Sequence, residues 1–381
     1  MPAAESGVTL VGVPLEVDPA VWLEPVRGGY PDLRLLGLSG EEQMAAFLGG
    51  RAPRPPIHHL TGMMPTEGGG GASTFTMPAT PWLQAPQGPV LPGALVALAD
   101  GPLGMAVQSA LPPMTPYTTA EISMNYVRPV PADGGTLVAR GRLILAGRSL
   151  GLSETLIEDG RGRIVAHGTS RCVIFDPLGP PPDPPPELDP VPAPEHPTPD
   201  PYLRPAAGAV IPQETWDSSS GLEVLSRHLA GELPAPPIAH LTGLRPTAAS
   251  EGMATFVLPA SEWLCSPLGR VEGGMIAMLA DTVILSAVQT TIPAGTSFAP
   301  LDLKVNFLRP VSPDGRDVTG RGTIVHRGRT MAVGHADLTD ADGKRVAIAT
   351  GTVMILPDRP WQPQSPVVPL DESGEGPAPS D

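Results

Sequence analysis

The chain has 381 residues and a net charge of −15, with 41% hydrophobic residues, 52 prolines and 44 glycines. That length suggests two to three domains, and the apolar fraction is enough to bury real cores, so the proline must be concentrated rather than spread. Two cysteines, Cys172 and Cys265, exclude a disulfide framework and a cysteine zinc site, and an acidic balance without a basic block argues against nucleic acid and anionic membranes as partners.

In chain order, residues 1–38 form an N-terminal arm with scattered apolar positions (Val11, Val13, Leu15, Trp22, Leu23). The opening MPAAESGVTLVGV lacks a cationic n-region and a long apolar h-region, which predicts a cytoplasmic protein. Residues 39–176 open with a short helix over Glu41–Leu48. Two strand-like segments follow near 57–64 and 71–78, then a long apolar helix near 93–110 and four strand signals. Residues 177–219 read as an extended, semi-rigid linker, with fourteen prolines between 177 and 205. Residues 220–357 repeat the pattern: a helix at Leu222–Leu229, strands near 238–244 and 252–259, and an apolar helix near 274–290. There Leu301, Leu303, Val305 and Phe307 alternate with polar residues as in a half-buried strand, and a meander continues near 317–326, 329–339 and 345–356. The tail, 358–381, is acidic and proline-rich and predicted to be disordered. The longest apolar stretches, Ala94–Val107 and Met275–Val288, are shorter than a membrane span and each carries an aspartate.

The two similar parts are copies. PPIHHLTG at 55–62 returns as PPIAHLTG at 236–243, TFTMPAT at 74–80 as TFVLPAS at 255–261, and MNYVRPV at 124–130 as VNFLRPV at 305–311, always 181 residues later. An offset this long, held over some 120 residues, means two duplicated domains rather than a solenoid. One buried helix wrapped by an antiparallel sheet in each copy is an α+β design.

Asp100 and Asp281 stand mid-helix in apolar runs (ALVALADGPLGMAV, MIAMLADTVILSAV), where an unpaired carboxylate is costly. Eight residues before each lies the helix start, Pro92-Gly93 or Gly273-Gly274, whose free N–H groups suit an oxyanion. Eight residues of helix span about 12 Å, so one helix cannot bring its own aspartate to its own N-terminus. Two such helices packed antiparallel can, and the duplication supplies the pair.

SPLGRVEGGMIAMLADTV, LDLKVNFLRPV and HRGRTMAVGHADLTDADGKRVAIATGT, in that order, resemble the hotdog-fold acyl-CoA thioesterases of the phenylacetate-degradation type, and copy one carries the same ordered pattern. The resemblance implies a tandem double hotdog whose copies pack as an intramolecular pseudo-dimer, further homodimerisation being left open. It implies hydrolysis of an acyl-CoA thioester at sites between the copies, by carboxylate-activated water or a carboxylate nucleophile with a helix N-terminal oxyanion hole. No metal or cofactor is implied, coenzyme A being part of the substrate. The helix carboxylate falls on Asp100 and Asp281. The oxyanion glycine falls on Gly273 and on Pro92, and the motif histidine on Glu272 and Leu91. The upstream asparagine falls on Ser266 and Ala85, and the assisting Ser/Thr on Thr119 and Pro300. Gly274 and Gly93 join Glu272 and Ser266 as substrate-binding candidates, and Arg128 and Arg309 are candidates for coenzyme A phosphates, against a more ordinary role in surface ion pairs. Proline has no N–H, so the departures predict one working site (Asp100, Thr119, Gly273) and one degenerate site (Asp281, Pro92). A non-catalytic acyl-CoA or acyl-chain binding protein is the alternative, and a hotdog hydratase or dehydratase a weaker one.

Other signals carry less. Gly147-Arg148-Ser149-Leu150-Gly151 matches G-x-S-x-G but sits in a strand meander instead of the strand–turn–helix that a nucleophile elbow needs. Gly68–Gly71 has no following GK[ST] and reads as a loop. The histidines have no metal-ligand spacing. His58 and His59 adjoin on an expected strand, and His240, the repeat counterpart of His59, marks a packing position.

Overall fold

The computed structural model describes residues 10–11, 21–192 and 194–356, so the tail at 358–381, like Val13 and Leu15, lies outside the described residues. The elements run β1 (Leu10–Val11), α1 (Gly40–Leu48), α2 (Pro56–Thr61), β2 (Met64–Gly69), β3 (Ala72–Pro78), α3 (Pro92–Gln108), β4 (Tyr117–Tyr126), β5 (Thr136–Ala146), β6 (Leu150–Glu158) and β7 (Ile164–Ile174). The second copy follows with α4 (Gln213–Ser218), α5 (Gly221–Leu229), α6 (Pro237–Thr242), β8 (Arg245–Ser250), β9 (Met253–Pro259), α7 (Gly273–Gln289), β10 (Ser297–Phe307), β11 (Asp317–Arg327), β12 (Met331–Thr339) and β13 (Arg345–Leu356).

Local chemistry starts and stops these elements. Ser39 with Glu42, and Ser220 with Glu223, form reciprocal capping boxes at the starts of α1 and α5. The segments expected as strands near 57–64 and 238–244 are instead led by the short helices α2 and α6. Pro56 and Pro237 occupy the first helical turn, and Gly62 and Gly243 end each helix in the left-handed conformation. Six residues are too few to display a helical period, so the punctuation carried the signal and the apolar run did not. Ala146 ends β5 and Leu150 opens β6, with the Gly147 N–H donating to the Leu150 carbonyl, so G-x-S-x-G is a hairpin turn as expected.

Among the described residues both copies share one antiparallel sheet of 13 strands, in the order β1-β8-β9-β11-β12-β13-β10-β4-β7-β6-β5-β3-β2. The copies meet where β10 pairs with β4, with Lys304 opposite Ser123. Those two residues are repeat counterparts, so the pseudo-two-fold axis passes through that pair. On the covered face α3 and α7 pack antiparallel. A Cβ on Gly93 would lie 2.7 Å from Met278 Cγ, and one on Gly274 would lie 2.6 Å from Ala97 Cα, so only glycine allows the helices this close. Leu98, Ala99, Leu103, Leu279, Ala280 and Val283 of the two helices are fully buried against the sheet, which forms the hotdog core of each copy.

The linker expected over 177–219 is structural in its second half. The 3-10 turn Val21–Leu23 of the N-terminal arm has a counterpart at Pro201–Leu203, and Gly28 one at Gly208. Both glycines have φ near +90° (91° and 86°), and a Cβ on either would strike a backbone carbonyl, Arg54 O at 2.6 Å or Ala235 O at 2.5 Å. The arm is therefore part of the repeat, one residue out of the 181 register, and proline enrichment hid its second example. The arms are exchanged. Trp263 Nε1–H donates to the Glu24 carbonyl and Trp82 Nε1–H to the Arg204 carbonyl, each at 2.9 Å, and the Arg204 guanidinium holds the Glu24 carboxylate at 2.7 and 2.8 Å. His59 is structural: its Nδ1 lies 3.0 Å from the Asp200 carboxylate.

Candidate active site

Asp100 leaves the middle of α3 directly opposite the N-terminus of α7. The Gly274 N–H donates to its Oδ2 at 2.8 Å and the Thr119 hydroxyl to its Oδ1 at 3.4 Å. Thr119 is aimed by a bulge in β4, where the pairing with β7 slips between Thr119 and Glu121. Burial pushes the Asp100 carboxyl above its ordinary range, and the two donors oppose that shift. Enclosed closely by protein, Asp100 still keeps surface open to a cavity of about 930 Å3. Gly273 forms the same wall. Its N–H, first in α7, has no partner among the described residues, and a Cβ there would lie 3.0 Å from Asp100 Oδ2. Gly274, expected to bind substrate, has its N–H engaged by Asp100, which leaves the Gly273 N–H as the free donor.

Glu272 stands at the N-cap of α7, 7% exposed, with Oε2 buried and unpaired. Burial first, and the neighbouring Asp100 second, raise its carboxyl well above the ordinary range and favour its protonated form. A charged Glu272 beside an oxyanion would oppose catalysis, but a neutral one is a hydrogen-bond donor. Ser266 sits on the cavity wall in a turn, its hydroxyl 3.3 Å from the Arg270 carbonyl. Arg309 and Arg270 are exposed on the rim.

The repeat-related location keeps the aspartate but differs in the groups around it. Asp281 is 2% exposed and takes no part in the wall of the second cavity, of about 700 Å3. The Tyr126 hydroxyl caps its Oδ1 at 3.1 Å. The Gly93 N–H favours the ionised form without making a hydrogen bond of ordinary geometry, and burial, the largest effect, raises the carboxyl to about 7. Pro92 replaces Gly273, and Pro300, beside the matching bulge in β10, replaces Thr119. Arg128 lies exposed at the mouth of this cavity. The predicted residues thus fall into two groups: Asp100, Thr119, Gly273, Gly274, Glu272, Ser266 and Arg309 around one cavity, and Asp281, Gly93 and Arg128 at or behind the other.

The thioesterase superfamily matches the chain twice, over residues 87–166 and 268–347, each time spanning the buried helix and the strands after it. A Halobacterium salinarum protein, "Putative esterase VNG_1336C", is 31% identical over 121 residues, covering 29% of this chain and 78% of that protein. This chain belongs to the thioesterase superfamily. A "Putative esterase" of Haemophilus influenzae is 28% identical over 141 residues, 37% of this chain and 97% of that protein, so its length matches about one copy. A solved structure from Ralstonia eutropha, "a putative thioesterase, phenylacetic acid degradation-related protein", is 34% identical, covers 34% of this chain and 98% of its own, and superposes with a TM-score of 0.32.

The chain is a tandem hotdog hydrolase of that superfamily. Among its described residues no helix is long and apolar enough to cross a membrane, and no cluster of three His, Cys, Asp or Glu side chains could hold a metal. Three groups escaped the sequence reading. Tyr126 aligns with Phe307 of the first site, a one-hydroxyl difference visible in MNYVRPV against VNFLRPV. His58, 5% exposed on α2 and edge-on to Phe75, lines the first cavity, whereas copy two has Ala239 there. The arm contributes Tyr30, Leu35 and Leu36 to the first cavity, and its counterpart gives Ile211 and Trp216 to the second.

Proposed function

We propose that this thioesterase hydrolyses an acyl-CoA thioester at the Asp100 cavity alone. The observation that carries the reading is the pairing of an open carboxylate with the free N-terminus of the partner copy's helix: Gly274 N–H holds Asp100 Oδ2 at 2.8 Å while the adjacent Gly273 N–H stays unengaged. In this mechanism the thioester carbonyl oxygen accepts the Gly273 N–H. Asp100 takes a proton from water as the water oxygen bonds to the carbonyl carbon. Charge then develops on the carbonyl oxygen at the positive end of the α7 dipole. Collapse breaks the C–S bond, and the thiolate takes the proton held by Asp100, giving a carboxylic acid and free coenzyme A. Thr119 and Gly274 orient the carboxylate, Arg309 and Arg270 lie where coenzyme A phosphates would leave the cavity, and the reaction needs no further cofactor.

Release of free thiol from a panel of acyl-CoAs tests the reading. Asp100→Asn should lower kcat by about 10²–10⁴-fold, the usual contribution of a general base, while Asp281→Asn stays within about twofold, since it touches neither water nor substrate. Equal losses would overturn the one-site assignment. Acyl-CoA binding without thiol release on any chain would favour the binding-protein alternative.

A further inference from the structure

The second cavity has lost its chemistry and kept its space. Pro92 offers no N–H, Pro300 no hydroxyl, and Asp281 lies outside the wall, capped by Tyr126. A site simply falling out of use would be expected to shrink, because protein interiors close-pack and small residues facing the void, such as Ala299 and Ser286, leave room for larger side chains. Instead about 700 Å3 remains, lined mainly by aliphatic and aromatic side chains including Ile211, Trp216 and Phe256.

Two polar groups mark how it would hold a ligand. Ser286, 7% exposed and on the cavity wall, has a hydroxyl with no hydrogen-bond partner among the described residues, where copy one has Met105. Arg128, exposed at the mouth, forms no ion pair among the described residues. A mainly apolar interior with a few buried hydroxyls, those of Ser286 and Ser297 unpaired among the described residues, and a free cation at the entrance fits a long apolar chain with an anionic head.

We propose that this cavity is a second, non-hydrolytic binding site for an acyl chain with an anionic head. That chemistry is shared by a free carboxylic acid and by an acyl thioester with its coenzyme A phosphates. The site stands apart from turnover at Asp100, since none of its wall residues belongs to that machinery.

Calorimetric titration of the full chain with decanoate and with S-decyl-coenzyme A, a thioether with no bond to hydrolyse, tests the proposal. Wild type should take up two equivalents of at least one probe per chain. Ser286→Phe, which intrudes on the cavity and removes the hydroxyl, should lose or weaken the second equivalent by about tenfold or more, with turnover at Asp100 within about twofold. Arg128→Glu, a surface change that spares folding, should weaken the second equivalent by about tenfold or more. Decanoate alone at the second site would identify the free acid as ligand, and S-decyl-coenzyme A alone the thioester. A single equivalent in wild type, untouched by Ser286→Phe and Arg128→Glu, would sink the proposal. One equivalent with normal turnover defeats this site alone, whereas two equivalents without turnover defeat the hydrolytic reading alone.

Discussion

Tyr126 and Phe307 differ by one oxygen, and that oxygen separates the fates of two aspartates. The Tyr126 hydroxyl donates to Asp281, while Phe307 offers nothing to Asp100, which keeps the Gly274 N–H and an open face. Burial raises the Asp281 carboxyl to about 7, from an ordinary value of 3.8, against the opposing pull of the Tyr126 hydroxyl. The folded chain therefore binds a proton between pH 3.8 and about 7 that the unfolded chain has lost, and stability falls as pH rises through that window. Asp281→Asn removes a cost of order 2–4 kcal/mol at high pH. The variant should melt several degrees above wild type at pH 8 and close to it at pH 4, by differential scanning fluorimetry. A pH-independent difference would contradict the burial account. At the first site, Glu272→Gln keeps a neutral donor and should retain kcat/KM at pH 7 within about fivefold; a hundredfold loss would show that the carboxylate form is required.

Between elements, the decisive event is the antiparallel contact of α3 and α7, permitted by Gly93 and Gly274. It sets each aspartate at the other helix's N-terminus, so chemistry depends on what that terminus offers. Pro92→Gly by itself should leave the second site silent in thiol release, because Tyr126 still caps Asp281 and Pro300 leaves no hydroxyl. Pro92→Gly with Tyr126→Phe and Pro300→Thr restores the N–H, the uncapped aspartate and the hydroxyl of the first site and should add a rate that disappears with Asp281→Asn. A gain from Pro92→Gly alone would show that the missing N–H was the sole defect.

Across the whole molecule, the continuous sheet, the helix pair and the exchanged arms tie the copies together without the covalent connection near residues 190–195. A chain broken between Pro190 and Glu195 should elute as one species in size-exclusion chromatography and keep its thiol release, because β10–β4 pairing, the α3–α7 contact and the Glu24–Arg204 pair all cross between the halves. Separation of the fragments at micromolar concentration would show that the connection itself holds the copies in register.

The duplication, the buried helices, the strand meander and the carboxylate facing a helix N-terminus were all legible in the residues. They rest on an offset of 181, on hydrophobic periodicity and on the roughly 12 Å that a helix needs for eight residues. Pro92 announced the lost donor by itself, since a missing N–H is a covalent fact. The remainder needed tertiary structure. Whether Glu272 carries charge depends on how completely it is desolvated, and the fate of Asp281 depends on a hydroxyl arriving from a strand 155 residues earlier. The exchanged arms were hidden because proline composition signals extension and says nothing of which surface the extended chain lies against. Short-range chemistry fixed the elements and the candidate groups. Only packing decided which aspartate faces a cavity and which is sealed away from it.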